Sequence, residues 1–212
     1  MTRRALALFL ASLALAYSSL AFATTWEELK RQKSTLPTIE ELNRRSRELT
    51  QGVKKEESKK EEKTQSSALE RGIIDLYRDF NPSLSLEAAT KMAKSTVIHC
   101  TERGVDPALL ASIIIVESRA NPRARNKSML GLCQIHWKVH AASIKKAFPH
   151  IKTVEDMLQA DNNIQVGSWI LERYLKKGGG SVDKALGYYL GRKNTKYIKR
   201  VKEYRDRVLN FS

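Results

Sequence analysis

Apolar residues from position 70 onward recur every three or four positions, which is the spacing of one face of an α-helix. No stretch of five residues alternates between polar and apolar side chains as a half-buried strand does. Residues 70–212 are therefore predicted to form an all-α domain. Its first and last apolar stripes consist of Ile73, Ile74, Tyr77 and Phe80 and of Tyr197, Val201, Tyr204 and Val208.

Capping residues and helix breakers divide this domain into successive helices. Ser85 and the pair Asp106-Pro107 are typical helix starts, because a short polar side chain can accept a hydrogen bond from a free backbone N–H. The three glycines at 178–180 are typical of a helix end. The polar segment 119–128 is predicted to be a loop. The pattern thus indicates several helices joined by short connections.

Glu117 is the carboxylate that this pattern singles out. It follows Ile113 by four residues and Ile114 by three, so on a helix it lies on the stripe that faces the core. Burial disfavours an ionised carboxylate and raises its pKa, as a general acid near neutral pH requires. The alternative is a structural ion pair between Glu117 and one of the arginines in the segment 119–125.

Four short motifs follow one another along the domain. They are Glu117-Ser118, Gly131-Leu132-Cys133-Gln134, Asn163-Ile164 with Gly167, and Gly187-Tyr188-Tyr189-Leu190-Gly191. In this order and spacing the chain resembles the soluble lytic transglycosylases, relatives of goose-type lysozyme, over about residues 90–208. The resemblance implies a lysozyme-like helical domain that cleaves the MurNAc-GlcNAc β-1,4 bond of peptidoglycan and leaves a 1,6-anhydro-muramic end.

The same resemblance implies roles for the matching residues. Glu117 would protonate the glycosidic oxygen and then act as base on the muramic 6-hydroxyl. Ser118 and Gln134 would support the site and the glycan. Tyr188 matches the motif tyrosine that commonly lies by the catalytic glutamate, whereas Tyr189 stands where the family has Asn and is an altered substrate-binding position.

The segment after Gln134 contains two further candidates. Trp137 lies beside the polar loop, where an aromatic ring either stacks on a sugar or belongs to the core. His136 and His140 are four residues apart, as metal ligands on one helix face are, but no Glu stands between them and no third ligand has the motif spacing. We therefore predict neither a metal site nor a cofactor.

Residues 1–23 have the three parts of a secretory signal. Arg3 and Arg4 are basic, residues 5–16 are mostly apolar, and an Ala-x-Ala site ends at Ala23. This pattern predicts export to the periplasm with cleavage after Ala23. An uncleaved membrane anchor is the alternative.

Residues 24–69 are charge-dense, with eleven lysines and arginines and nine glutamates, and are poor in large apolar side chains. Such a composition buries too little apolar surface to offset the conformational entropy of the chain. We predict a charged extension here, in which residues 50–69 form either a solvated helix or a disordered tether. The domain proper then begins at residue 70.

The formal net charge of +15 favours an anionic partner. Outside the cytoplasm a cell wall with free carboxylates fits better than nucleic acid. A small exported enzyme of this kind could work alone or open the wall for an envelope-spanning secretion or conjugation complex. Two other functions remain open, a lysozyme-like peptidoglycan hydrolase and a non-catalytic module that binds the wall or assembles with partners.

Cys100 and Cys133 are the only cysteines of the chain. Export permits a disulfide between them, which would close a loop that spans Glu117 and stabilise the fold by roughly 3–4 kcal/mol. Alternatively, both are small buried hydrophobic side chains. The sequence leaves the two alternatives open.

Overall fold

The structure, a computed structural model, describes residues 39–210, and within this range it leaves out the side chains of Leu42 and of residues 49–66. The predicted signal peptide and the first part of the predicted extension lie outside the described residues. No helix in the part that the structure describes is long and apolar enough to cross a membrane.

The first helix, α1, is continuous from Ile39 to Phe80. The chain forms two compact units, and the boundary between them lies between Lys59 and Lys60. The backbone of residues 50–69 is helical, which is one of the two alternatives that the composition left open. No helix break occurs at residue 70, where the sequence pattern changes, because that position marks where α1 begins to bury a face through Ile73, Leu76 and Tyr77.

Two capped helices follow, and both starts were predicted from the sequence. Helix α2 spans Leu86–Thr101, and the side chain of its N-cap Ser85 accepts a hydrogen bond from the N–H of Ala88. Helix α3 spans Pro107–Ser118, and the Asp106 side chain accepts from the N–H of Ala108 at 2.8 Å. These local signals work because a helix start has free N–H groups that only a nearby acceptor can satisfy.

Helix α3 is the centre of the second unit. All eight residues from Ala108 to Ile115 are buried, so this part of the helix is enclosed on every side. It packs against α2, and it also packs against the last two long helices of the domain. Glu117 therefore lies in the last turn of a helix that is buried over most of its length.

Three strands of two residues each follow α3, and they were not predicted. Strands β1 (Arg125–Asn126), β2 (Met129–Leu130) and β3 (Ile135–His136) form an antiparallel sheet in sequence order. The segment 119–128 was expected to be loop throughout, and that expectation is wrong for β1. Two residues are too few to show an alternating pattern, so hydrophobic periodicity cannot detect such strands.

The remaining helices complete a predominantly helical domain, as predicted. They are α4 (Trp137–Ala147), α5 (Val154–Met157), α6 (Ala160–Lys177), α7 (Val182–Leu190) and α8 (Thr195–Asn210). Gly178 follows the last residue of α6, as the run of glycines indicated. Helix α8 packs on α3, and α6 packs on α2 and α7.

Candidate active site

The turn after α3 presents Glu117 at the end of a buried helix. Arg119 and Ala120 both have left-handed backbone conformations, with φ values of 55° and 56°, and these end the helix before Asn121. The side-chain amide of Asn81 donates to the Ala120 carbonyl at 3.0 Å and holds this turn against the end of α1. Non-glycine residues adopt such conformations at a cost, so the turn needs this support.

Glu117 has one side-chain hydrogen-bond donor among the residues that the structure describes. The phenol of Tyr197, on α8, donates to Glu117 Oε1 at 2.8 Å. Burial raises the pKa of Glu117, and the Tyr197 hydrogen bond lowers it by a smaller amount. The carboxyl group is therefore more easily kept protonated than an exposed glutamate.

The alternative of a structural ion pair is not what the structure shows. Within the described ranges no arginine or lysine is paired with Glu117. The guanidinium of Arg119 lies 5.7 Å from the centre of the Phe80 ring, and Arg125 pairs with Glu155 at 3.5 Å. A neutral donor in place of a cation leaves the effect of burial on Glu117 largely intact.

The apolar spacing of the last helix predicted that Tyr197 faces inward but did not place it in the site. Its hydroxyl is itself perturbed, because burial and then the nearby Glu117 charge raise the pKa of Tyr197. A buried tyrosine needs a partner for its hydroxyl, which was the available signal. The identity of that partner, 80 residues away in the sequence, required the fold.

The second and third motifs are held together by Asn163. This buried side chain accepts from the N–H of Cys133 at 2.8 Å and donates to the carbonyls of Leu130 and Met157 at 3.0 and 2.9 Å. A Cβ on Gly131 would lie only 2.2 Å from Asn163 Nδ2. Gly131 and Asn163 are thus matched, because the backbone must approach the amide closely for these bonds to form.

Gly167 and Cys133 form a second close contact. A Cβ on Gly167 would lie 2.4 Å from the Cys133 sulfur. Both Cys133 and Cys100 are buried free thiols, and burial raises the pKa of each. Of the two alternatives for the cysteines, the structure therefore has two buried thiols and no disulfide between them.

Gln134 and Ser118 make hydrogen bonds to nearby main-chain groups. Gln134 is buried, has a positive φ of 47°, and donates from Nε2 to the Gly131 carbonyl at 2.8 Å. The same side chain borders a cavity of about 40 Å³ that Tyr189 also lines. The Ser118 hydroxyl donates to the Ile114 carbonyl at 3.0 Å, within α3.

The two adjacent tyrosines of the fourth motif point in different directions. The phenol of Tyr189 donates to the Cys133 carbonyl at 2.9 Å, and its pKa is raised mainly by burial. Tyr188 is 37% exposed, and the Lys177 amine lies 4.5 Å from its ring centre. Successive residues on a helix point about 100° apart, so only one of the two can face the core.

Trp137 and the two histidines lie at the start of α4. Trp137 is partly buried against the core, and the Lys145 amine lies 5.8 Å from its ring centre. The pKa of His140 is lowered, first by burial and then by the nearby His136 and Arg173. Among the described residues, no three His, Cys, Asp or Glu side chains are grouped as metal ligands.

Other carboxylates considered as a second catalytic group have different partners. Asp156 belongs to the capping box of α5, and Asp161 accepts from the Ser95 hydroxyl at 2.6 Å. The side chain of Glu172 is only 19% exposed and pairs with Arg103 at 3.5 Å and with Lys176. Burial raises the pKa of Glu117, whereas hydrogen bonds lower the pKa values of Asp156 and Glu172.

The family model of the transglycosylase SLT domain matches residues 97–210, more than half of the chain. The chain belongs to this family. The match confirms the resemblance and the lysozyme-like helical fold, and it supports a lytic transglycosylase-type function that acts on peptidoglycan. No curated protein and no solved structure matches the chain.

Proposed function

We propose that the protein is a peptidoglycan lytic transglycosylase that cleaves the MurNAc-GlcNAc β-1,4 bond and forms a 1,6-anhydro-muramic end, with Glu117 as acid and then as base. The observation that carries this proposal is the environment of Glu117. Burial raises its pKa, and its hydrogen-bond partner Tyr197 is neutral. Such a carboxyl group keeps its proton to higher pH than an exposed glutamate does, which favours its use as a general acid.

In the first step the Glu117 carboxyl donates its proton to the glycosidic oxygen. The bond between that oxygen and C1 of the muramic sugar breaks, and the GlcNAc unit leaves with a free 4-hydroxyl group. Positive charge develops at C1, as in other glycoside cleavages. Glu117 is then an anion, and the Tyr197 hydroxyl, 2.8 Å from Oε1, stabilises this form.

In the second step the Glu117 carboxylate takes the proton from the muramic 6-hydroxyl. The freed oxygen attacks C1 and closes the anhydro ring, and Glu117 is protonated again. No water is consumed, and one carboxyl group serves both steps. The engagement of Asp156, Asp161 and Glu172 with other partners supports a mechanism that needs no second carboxylate.

In this proposal the other motif residues position the glycan and hold Glu117 in place. Gln134 and Tyr189 border one small cavity, and Tyr189 also fixes the Cys133 carbonyl, so both would position the glycan beside Glu117. Ser118, bonded inside α3, fixes the last turn that carries Glu117. Trp137 remains a candidate for stacking on a sugar ring.

Mass spectrometry of muropeptides released from purified sacculi tests this function. We expect the wild-type protein to release anhydro-muropeptides, each lighter by one water than the hydrolysed counterpart. We expect Glu117→Gln to fold and to lose at least about 100-fold in rate, since a general acid contributes at least about that factor. Release of hydrated products would favour the hydrolase, and retained activity of Glu117→Gln would remove the mechanism.

Export to the periplasm is part of the same proposal, because the substrate lies outside the cytoplasm. The supporting feature is the signal-like composition of residues 1–23. N-terminal sequencing of the protein recovered from a periplasmic fraction should begin at Thr24. A protein that starts at Met1 and sediments with membranes would instead show an uncleaved anchor.

A further inference from the structure

A large groove lies between helices α7 and α8. It has a volume of about 1080 Å³, and its walls continue into the end of α6 and the turn at Gly191. Pockets for small molecules are typically about 300–1000 Å³, so the groove has room for a ligand of several sugar or amino-acid units. None of the residues that carry the proposed chemistry is needed to form it.

The lining of this α7–α8 groove is basic. Six lysines and arginines and three acidic residues line it. Each acidic residue already has a cation, because Asp183 pairs with Lys202 at 2.5 Å, Glu203 with Lys199 at 3.7 Å and Asp206 with Arg205 at 3.7 Å. The acidic side chains therefore leave part of the positive charge uncompensated.

The remaining cations of the groove are Lys177, Lys184, Arg192 and Lys193. All four are exposed, and none forms an ion pair with another residue that the structure describes. Several like charges along one concave surface raise the local concentration of an anionic ligand. The groove thus fits a ligand with several negative groups rather than a single small ion.

An exposed aromatic platform lies in the same groove. Tyr188 is 37% exposed, and its ring centre lies 6.0 Å from that of Tyr174 and 4.5 Å from the Lys177 amine. An aromatic face held by a second ring and a cation is pre-organised, since little side-chain freedom is lost when a ligand stacks on it. Sugar rings present flat C–H faces that pack on such a platform.

The groove also adjoins the candidate active site. Tyr174 lines the groove, and it lines the small cavity that Gln134 and Tyr189 share. Ile198 lies in the groove wall, and the preceding residue, Tyr197, donates to Glu117. The groove and the candidate active site therefore share Tyr174 and use neighbouring residues of α8.

We propose that the α7–α8 groove is a binding site for an acidic segment of peptidoglycan, with a sugar ring on Tyr188 and stem-peptide carboxylates on Lys184, Arg192 and Lys193. This inference rests on the proposed function, because it takes the same polymer as ligand. Peptidoglycan combines both required features, a chain of sugar rings and peptide branches that carry carboxylates. The groove then holds the strand while the neighbouring bond lies at Glu117.

Binding to purified sacculi by the full chain carrying Glu117→Gln tests the proposal without turnover. In this background, Lys184→Glu combined with Arg192→Glu should raise the Kd for sacculi about tenfold at low salt, since several exposed charge interactions are lost or reversed together. The affinity of the parent should fall as salt rises, because salt screens exposed charges. Tyr188→Ala should weaken binding, whereas Tyr188→Phe, which keeps the ring, should not.

A matched control separates the groove from overall charge. Lys94→Glu combined with Lys146→Glu changes the net charge equally at exposed sites of α2 and α4 that do not line the groove, and this variant should bind sacculi like the parent. Sacculi whose carboxylates have been amidated should bind the parent and the groove variant equally. An equal loss in the control variant, an unchanged Kd of the groove variant, or tighter binding to DNA or anionic vesicles than to sacculi would overturn the proposal.

The failure of this proposal can be told apart from failure of the proposed function. If the wild-type protein releases no muropeptides while groove-dependent binding is seen, the catalytic proposal fails and the groove proposal stands. If anhydro-muropeptides are released but the groove substitutions leave binding unchanged, the groove proposal fails alone.

Discussion

The hydroxyl of Tyr197 donates a hydrogen bond to Glu117 at 2.8 Å and so opposes the effect of burial on that carboxyl group. The raised pKa of Glu117 is a balance in which burial outweighs the hydrogen bond. Tyr197 therefore sets how readily Glu117 gives up its proton and how stable the resulting anion is.

Tyr197→Phe should shift the pH dependence of the reaction. Without the donor, the pKa of Glu117 rises further, so the limb on which activity falls with increasing pH should move to higher pH. The rate should fall by about 10- to 150-fold, because a hydrogen bond to a charged group contributes about 1.5–3 kcal/mol. Muropeptide release measured across a pH series checks both effects. Tyr204→Phe, on the same helix, should change neither the pH profile nor the rate. An unshifted pH profile for Tyr197→Phe would show that Tyr197 does not influence the protonation of Glu117.

Glu117 should also lower the stability of the protein at neutral pH. Its folded-state pKa is raised by burial, so its favourable contribution is complete below the unfolded pKa and is lost as pH rises through the folded pKa. Glu117→Gln, which keeps an acceptor for Tyr197, should therefore be more stable than the wild type at pH 7.5. Urea unfolding should show this difference shrinking towards pH 4. A variant that is less stable at both pH values would contradict the buried charge as its cause.

Gly167→Ala should destabilise the domain. The added Cβ would meet the Cys133 sulfur at 2.4 Å, and overpacking of a core typically costs about 1–3 kcal/mol. Gly187→Ala is the control, because its Cβ would meet nothing closer than 4.0 Å and alanine favours a helix. Thermal unfolding of both variants checks the contrast, and equal melting temperatures would show that the contact at Gly167 relaxes freely.

Asn163→Ala should destabilise the domain more than Asn162→Ala does. Asn163 makes three buried hydrogen bonds, whose loss leaves main-chain groups unsatisfied at a total of roughly 2–5 kcal/mol. Asn162 makes one, to the Asp156 carbonyl at 2.8 Å, so Asn162→Ala should cost about 1 kcal/mol. Denaturant unfolding compares the two, and similar losses would argue against Asn163 as the link between the motifs.

The two motif tyrosines should respond differently to loss of their hydroxyls. Tyr189→Phe removes the hydrogen bond to the Cys133 carbonyl and should lower stability by about 1 kcal/mol and reduce muropeptide release. Tyr188→Phe keeps the exposed ring and should leave stability and release nearly unchanged. The reverse result would assign the active-site role to Tyr188 instead of Tyr189.

Local signals in the sequence were sufficient for the starts of α2 and α3 and for the partly buried position of Glu117. The caps Ser85 and Asp106 act on N–H groups two or three residues away, so their effect can be read from adjacent residues. The core-facing position of Glu117 follows from its spacing to Ile113 and Ile114. Both depend on chain geometry within about one helical turn.

Features that depend on distant residues or on single-residue register were not predictable in the same way. The partner of Glu117 is Tyr197, 80 residues later, and no local pattern connects them. The direction of Tyr188 and Tyr189 changes with a shift of one residue in the motif, whereas the motif match fixes only their approximate place. The strands β1 to β3 have two residues each, which is too few to show the alternation that would reveal them.

The location of Glu117 in the last turn of α3 gives the helix itself an electrostatic influence on the proton. The peptide dipoles of a helix add up to a partial negative charge at its C-terminal end, which disfavours a nearby anion by about 0.3–1 kcal/mol. The left-handed turn at Arg119 and Ala120 keeps Glu117 at this end instead of in the middle of a longer helix. The backbone thereby contributes to retention of the proton until a basic atom of a ligand is close enough to accept it.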